Sequence, residues 1–336
     1  MRHFVIIGVL VILVSVLTYN GIQASHLMPV EASAQSIPVD WMWNADMAAI
    51  AFLFALIMVP LIYSLIVFRR RKGDTSDGEH IEGNAALEIT WTVIPLITVV
   101  VFAYLGAYTL GETRVIDPNA AAIRVHAMQW AWHFEYPQGF TSDQLYLPVN
   151  KQVDLQMDSS DVIHSFWVPE FRIKQDVVPG RITEYRITPT LIGSYKVRCA
   201  ELCGTAHSYM EAPVVVVSQS DYDTWIAQQV KAAAALLNAT GPDAGKALVN
   251  KFGCLACHTV DGTPKIGPTW FGLYGSKVEL SDGTTITAND AYIKQSILQP
   301  ASQVVKGFSP MSFNAQALGV TDQQISNIID YIKTLK

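Results

Sequence analysis

Two charge-free apolar runs constrain this chain more than any other feature. Met47–Phe68 and Ile89–Leu110 each have about the length that crosses ~30 Å of hydrocarbon at 1.5 Å per residue. In lipid their backbone groups must be satisfied within the segment, so both are expected as helices. Trp41, Trp43, Trp91, Tyr104 and Tyr108 lie at or near the run ends, where amphipathic rings favour the membrane–water interface. A pair of buried helices in a soluble protein is the alternative, and the lengths argue against it. Charged residues make up only 15 % of the chain against 50 % hydrophobic ones, which fits a membrane protein. The formal net charge of −6 is spread along the chain and offers no basic surface for nucleic acid.

Arg69, Arg70, Arg71 and Lys72 follow the first run, which sets the loop between the runs on the cytoplasmic side. Everything after residue 110 then lies outside, on the extracytoplasmic side of the cell membrane. At the N-terminus, Arg2 and His3 precede the apolar stretch Phe4–Leu17, and Ala32-Ser33-Ala34 offers small residues for cleavage. Residues 1–34 are read as a cleaved signal peptide, with an uncleaved anchor as the alternative. Residues 35–111 form the expected two-helix transmembrane hairpin.

Residues 112–220 read as strands. Val153, Leu155 and Met157 alternate with polar residues, as do Ile182–Ile187 less cleanly, then Tyr195 and Val197. Prolines at 137, 148, 169, 179 and 189 punctuate them, as expected for a small antiparallel sandwich. Residues 221–242 switch to helical composition and end in a hinge at Asn238-Ala-Thr-Gly-Pro242. Residues 243–336 read as a compact helical module: a first helix to about Phe252, a loop-rich middle, a short helix near Ala291–Leu298 and a last helix over Asp322–Leu335. Thr321 is its N-cap, with Gln324 at the capping-box position.

The four cysteines form two pairs, each with metal-ligand neighbours. Cys199-Ala-Glu-Leu-Cys203-Gly-Thr-Ala-His207-Ser-Tyr-Met210 gathers two thiolates, an imidazole and a thioether, a soft donor set that suits copper. Two sulfurs four residues apart can bridge a pair of metal ions, with His207 and Met210 as end caps. The missing terminal ligand is best supplied by His164. A tetrahedral zinc site or a Cys199–Cys203 disulfide stays open on these residues, although zinc has no use for Met210. The second motif, Cys254-Leu-Ala-Cys257-His258, has the pattern of covalent haem c attachment. Ile266-Gly-Pro268 sits where a proline carbonyl can fix the proximal histidine. Met311 lies about 50 residues on and fits as the sixth iron ligand. A redox dithiol would want a βαβ setting that this region lacks.

With these residues in view, the chain resembles cytochrome c oxidase subunit II, of the haem–copper oxidase family, carrying a fused C-terminal cytochrome c domain. The likeness runs from Leu87-Glu-Ile-Thr-Trp-Thr-Val-Ile-Pro95 to about Trp225, through Gln129-Trp-Ala-Trp132 and Val178-Pro-Gly-Arg181, while residues 243–336 resemble a cytochrome c. The resemblance implies a multidomain membrane protein with an all-β cupredoxin-like domain and an all-α cytochrome c domain. It implies that Cys199 and Cys203 bridge a dinuclear copper (CuA) centre completed by His164, His207, Met210 and the carbonyl of Glu201. It assigns the Glu201 carboxylate to a Mg2+ ion at the subunit I interface. Trp130 matches the position that accepts electrons from a docked cytochrome c, and Glu88 a position at the mouth of a proton pathway. Every copper-ligand position is filled, unlike in quinol oxidases.

The expected function is therefore to accept electrons at haem c from an external donor and pass them through the copper pair to subunit I. Oxygen reduction would take place in that partner, with other oxidase subunits completing the complex. The same module could serve a copper-containing nitric oxide reductase. A membrane-anchored copper-handling or redox-sensing protein is the rival from another class, and covalent haem counts against it. His3, His26, His80, His126 and His133 are read as structural or surface residues.

Overall fold

A computed structural model describes residues 1–336 except Glu79, Pro264, Ser312, Asn314 and Ala317, and the side chains of Leu237 and Asn238. The chain divides into two compact units, residues 1–31 with 35–115 and residues 32–34 with 116–336.

The first unit is helical, with α1 (Arg2–Ala24), α2 (Ser36–Val67) and α3 (Ala85–Thr113). The expected span at Met47–Phe68 falls in α2 up to its C-cap Phe68, and the one at Ile89–Leu110 lies wholly inside α3; α2 starts eleven residues earlier than expected. Pro60 and Pro95 sit inside these helices, a tolerated placement in apolar surroundings. The short apolar stretch at the N-terminus is instead part of a full 23-residue helix. Among the described residues, three helices are therefore long and apolar enough to cross a membrane. The first of them falls within residues 1–34, expected as a signal peptide or an N-terminal anchor, and the other two hold the expected hairpin. His3 Nδ1 meets Tyr63 Oη at 2.7 Å and Gln23 donates to Asn44 at 2.7 Å, so α1 and α2 run antiparallel. Val11, Ala55 and Val59 pack between them, the small alanine allowing close approach.

The second unit opens with a β-sandwich. One sheet orders β3 (Phe140–Ser142), β2 (Ala131–Tyr136), β1 (Ala121–Met128), β5 (Val153–Ser159) and β8 (Thr183–Ile187). The other orders β4 (Leu145–Pro148), β10 (Glu211–Val217), β9 (Gly193–Cys199), β6 (His164–Val168) and β7 (Ile173–Val177). β1 pairs with β5, and β10 with β4, in parallel, so the sandwich is mixed and not purely antiparallel as expected. Strand alternation shows cleanly in β5, where Val153, Leu155, Met157 and Ser159 are buried and the residues between are half-buried. Trp132, Phe134 and Tyr136 of β2 pack with Phe166, Phe171 and Leu147 in the core. Ala32-Ser33-Ala34, the expected cleavage site, is hydrogen-bonded to this sandwich. Ala32 N–H donates to Glu170 O at 3.0 Å, Ala34 N–H to Thr188 O at 2.9 Å, and Thr190 N–H to Ala32 O at 2.9 Å. Ala32 and Ser33 are fully buried.

α4 (Gln219–Asn238) starts from the Ser218 N-cap and lays Trp225 against Tyr146, Tyr136 and Phe140. The last module has α5 (Pro242–Lys251), α6 (Asp290–Leu298) and α7 (Asp322–Lys333). The Thr321–Gln324 capping box forms as expected. Leu248, Val249, Ile325, Ile328, Ile329 and Ile332 build its core. α5 and α7 cross closely at Gly245, where an added Cβ would fall 1.9 Å from the Asn327 carbonyl oxygen. The loop-rich middle also contains a short hairpin, β11 (Lys277–Glu279) with β12 (Thr285–Thr287), so this module is not wholly α as expected. Asp282-Gly283 turns it, with Gly283 at φ 84°.

Candidate metal centres

The copper-type donors converge on one loop beside the sandwich. β9 delivers Cys199, the following loop delivers Cys203, and a 3₁₀ turn over His207–Tyr209 presents His207. β6 brings His164 alongside. The two thiol sulfurs are 3.7 Å apart and unbonded, far from the ~2.05 Å of a disulfide. His164 Nδ1 lies 3.8 Å from Cys199 Sγ, and His207 Nδ1 lies 3.5 Å from Cys203 Sγ. Met210 Sδ is 3.8 Å from Cys203 Sγ, and the Glu201 carbonyl oxygen is 3.2 Å from Cys199 Sγ. Two central sulfurs with a nitrogen and a weak donor at each end make six donors. That exceeds the four of structural zinc and suits a bridged pair of copper ions.

The cluster is built to present specific atoms. Asp161 accepts from His164 Nε2 at 2.8 Å, which leaves Nδ1 as the ligating nitrogen. Burial opposes charge on His164, but its hydrogen bonds to Asp161 and Cys199 outweigh that and raise its pKa to about 9. Cys203 is pushed up by burial and by the neighbouring Cys199 thiolate. One thiol of the pair thus ionises readily and the second only with a cation between them, the condition a metal pair supplies. His164 is fully buried, Cys203 and Met210 nearly so, and Cys199 N–H donates to Met210 O at 3.0 Å.

The haem-type donors line one cavity of about 470 Å³ containing Cys254, Cys257, His258 and Met311. Cys254 begins a 3₁₀ turn directly after α5. His258 Nδ1 donates to Pro268 O at 2.8 Å, which directs Nε2 to a metal and fixes the tautomer as expected. Burial lowers the His258 pKa, keeping the imidazole neutral for ligation. Its ring stacks on Trp270 at 4.8 Å. Gly267 is required here, since a Cβ would stand 2.9 Å from His258 Cε1. A thiol pair, an oriented imidazole and a thioether around an apolar cavity fit a covalently held haem.

The turn between β1 and β2 touches both donor sets. Trp130 Nε1 donates to the Cys203 carbonyl at 3.1 Å, and Gln129 Nε2 donates to the same oxygen at 2.7 Å. Trp130 also lines one cavity with Cys254 and Cys257. It therefore stands between a copper-type ligand and the haem-attaching cysteines, a juxtaposition that spacing alone did not reveal. Glu88 is remote in sequence from both donor sets and sits in the first turn of α3. Its Oε1 accepts from Asn84 N–H at 3.3 Å while Asn84 Oδ1 accepts from Leu87 N–H at 3.2 Å, a helix-capping arrangement.

Comparison with known proteins agrees with this geometry. Residues 20–107 match the transmembrane domain of cytochrome c oxidase subunit II, residues 138–219 its periplasmic domain, and residues 242–336 cytochrome c. Cytochrome c oxidase subunit 2 of Synechocystis is 34 % identical over 291 residues, covering 72 % of this chain and 87 % of that protein. The chain belongs to the cytochrome c oxidase subunit II family. The subunit 2 of Alkalihalophilus pseudofirmus is 30 % identical over 312 residues, covering 88 % of this chain and 87 % of that one. Among solved structures, the periplasmic domain of subunit II of Bradyrhizobium japonicum is 29 % identical, with a TM-score of 0.33, and covers 34 % of this chain and 98 % of that one.

For a subunit II chain with a cytochrome c module, the donor sets are those the family membership implies, copper and haem c. The structure brings the donors expected from the sequence together in two clusters. His133, read as a structural or surface residue, is a buried one. His133 is 3 % exposed, and burial drops its pKa to about 4. Neither ring nitrogen has a hydrogen-bond partner. His126 beside it bridges Asp158 at 2.8 Å and Glu135 at 3.1 Å.

Proposed function

We propose that this subunit II chain takes electrons from an external donor at a haem c on Cys254, Cys257, His258 and Met311. It would hand them to subunit I from a CuA pair on His164, Cys199, Glu201, Cys203, His207 and Met210. When bound, the haem iron and the copper pair supply one-electron redox chemistry. The chain's own residues supply placement. Asp161 and Pro268 fix which imidazole nitrogen faces each metal, the sandwich holds the thiolates at a constant separation, and the apolar linings exclude water. The observation that carries this reading is the place of Trp130, with its indole donating to the Cys203 carbonyl while the residue lines the cavity of Cys254, Cys257 and His258.

Several finer assignments follow from it. Leu202 and Tyr209 flank the copper ligands and are each 78 % exposed, which suits burial against another oxidase subunit. Glu201 is exposed, leaving its carboxylate for a Mg2+ ion at that boundary. Glu88, besides capping α3, is the candidate for proton uptake. The three apolar helices make a triple-span anchor, with both redox modules on the extracytoplasmic side.

The test is a cofactor count on the full-length chain, matured in a host that attaches haem c and then loaded with copper. Two coppers sharing one unpaired electron in the EPR spectrum, beside one covalent haem, are expected. A single localised copper, bound zinc or a Cys199–Cys203 disulfide would overturn the assignment.

A further inference from the structure

The haem cleft has a wall that its own module does not supply. Besides Cys254, Cys257, His258 and Met311, the cavity is lined by Trp130, Ala131 and His133 of the β-sandwich. On β2, Trp132, Phe134 and Tyr136 point into the sandwich core, so strand alternation turns His133 to the opposite face of its sheet. Its neighbours on that face, Ala131 and Glu135, are half-buried, whereas His133 is fully buried. The cover is the segment around Gly253, the residue before the first haem-attaching cysteine. A Cβ at 253 would stand 2.7 Å from His133 Cε1 and 3.0 Å from its Nε2. Gly253 also has φ 65°, so both space and backbone demand glycine there. Because neither ring nitrogen has a partner, the imidazole is held by shape and not by hydrogen bonds. The β-sandwich alone gains nothing from burying such a ring.

We propose that His133 is the positioning residue that seats the haem module on the copper domain. Its ring fills the space left by the absent side chain of Gly253 and thereby keeps the Cys254–His258 segment against Trp130 and Ala131. The proposal rests on the electron-relay reading above. It goes further in naming a residue outside both donor sets as the one that sets their separation.

Pulsed EPR on the full-length, doubly loaded chain reads that separation as the distance between oxidised haem and oxidised copper pair. Flash reduction of the haem reads the transfer rate to copper. The wild-type chain is expected to give one narrow distance. His133→Ala should broaden the distribution and slow transfer by about tenfold or more, because small misplacements are costly in oriented reactions. Haem and copper absorption should stay unchanged. His133→Phe, which refills the seat against Gly253, should restore the narrow distance and the rate. An unaltered distance and rate in His133→Ala, or a His133→Phe chain as loose as His133→Ala, overturns the proposal. So does a broad distance in a wild-type chain carrying both cofactors. A wild-type chain lacking the copper pair or the haem overturns the relay reading itself, and the proposal falls with it.

Discussion

The copper loop and the haem cleft reach their metals by opposite routes. At the copper loop, each ligand sulfur or nitrogen already stands within 3.8 Å of a neighbouring ligand sulfur, backed by a sandwich with its own continuous core. At the haem cleft the module's core, from α5, α6, α7 and the loops and hairpin between them, borders a cavity of about 470 Å³. One site is a finished scaffold that accepts metal. The other is a scaffold that its cofactor completes. In the second case the binding free energy of the cofactor is also folding free energy.

The sharpest way to break that comparison is to prevent haem attachment with the double substitution Cys254→Ala and Cys257→Ala. Hydrogen exchange is expected to show residues 243–336 losing protection almost entirely while residues 116–218 keep theirs. Equal loss in both regions would mean that the two modules fold as one unit. A smaller effect concerns acidity. His133 has a folded pKa of about 4 against roughly 6.5 when unfolded. The unfolded chain therefore binds more protons between these values, and stability rises with pH across that window. Stability is complete above about pH 6.5 and falls by on the order of 3 kcal/mol as pH drops to about 4. Thermal melts of wild type and His133→Phe across this range should differ in slope, the variant lacking this contribution. Parallel curves would remove His133 as its source. The smallest effect sharpens the copper side. Asp161→Asn should leave the fold intact, because the cluster is pre-assembled, yet weaken copper binding by about 10- to 100-fold through looser aim of His164. Competition with a copper chelator measures this, and unchanged affinity would show that the sandwich alone aims the ring.

What could be read in advance follows from how local each feature is. Cys199, Cys203, His207 and Met210 lie within one loop, and Cys254, Cys257 and His258 within another, so chemistry and spacing disclosed them. The Thr321–Gln324 capping box is equally local and formed as read. His164 needed a choice among distant histidines, and the structure sets its Nδ1 3.8 Å from Cys199 Sγ. His133 was out of reach because its burial comes from a segment more than a hundred residues away, with no pattern in β2 to announce it. The same holds for the parallel pairings of β1 with β5 and β10 with β4, which depend on connections across the sandwich. Ala32-Ser33-Ala34 reads two ways for a related reason. Small residues suit a peptidase, and they equally suit a strand pressed against a core.

The shared acceptor at Cys203 has a consequence for genetics. Its carbonyl takes hydrogen bonds from both Gln129 and Trp130, so a turn at residues 129–130 and a metal loop some 73 positions later move as one piece. Lesions in the two stretches should fall into a single phenotypic class, and second-site revertants of one should map to the other, although nothing in the linear order of the chain connects them.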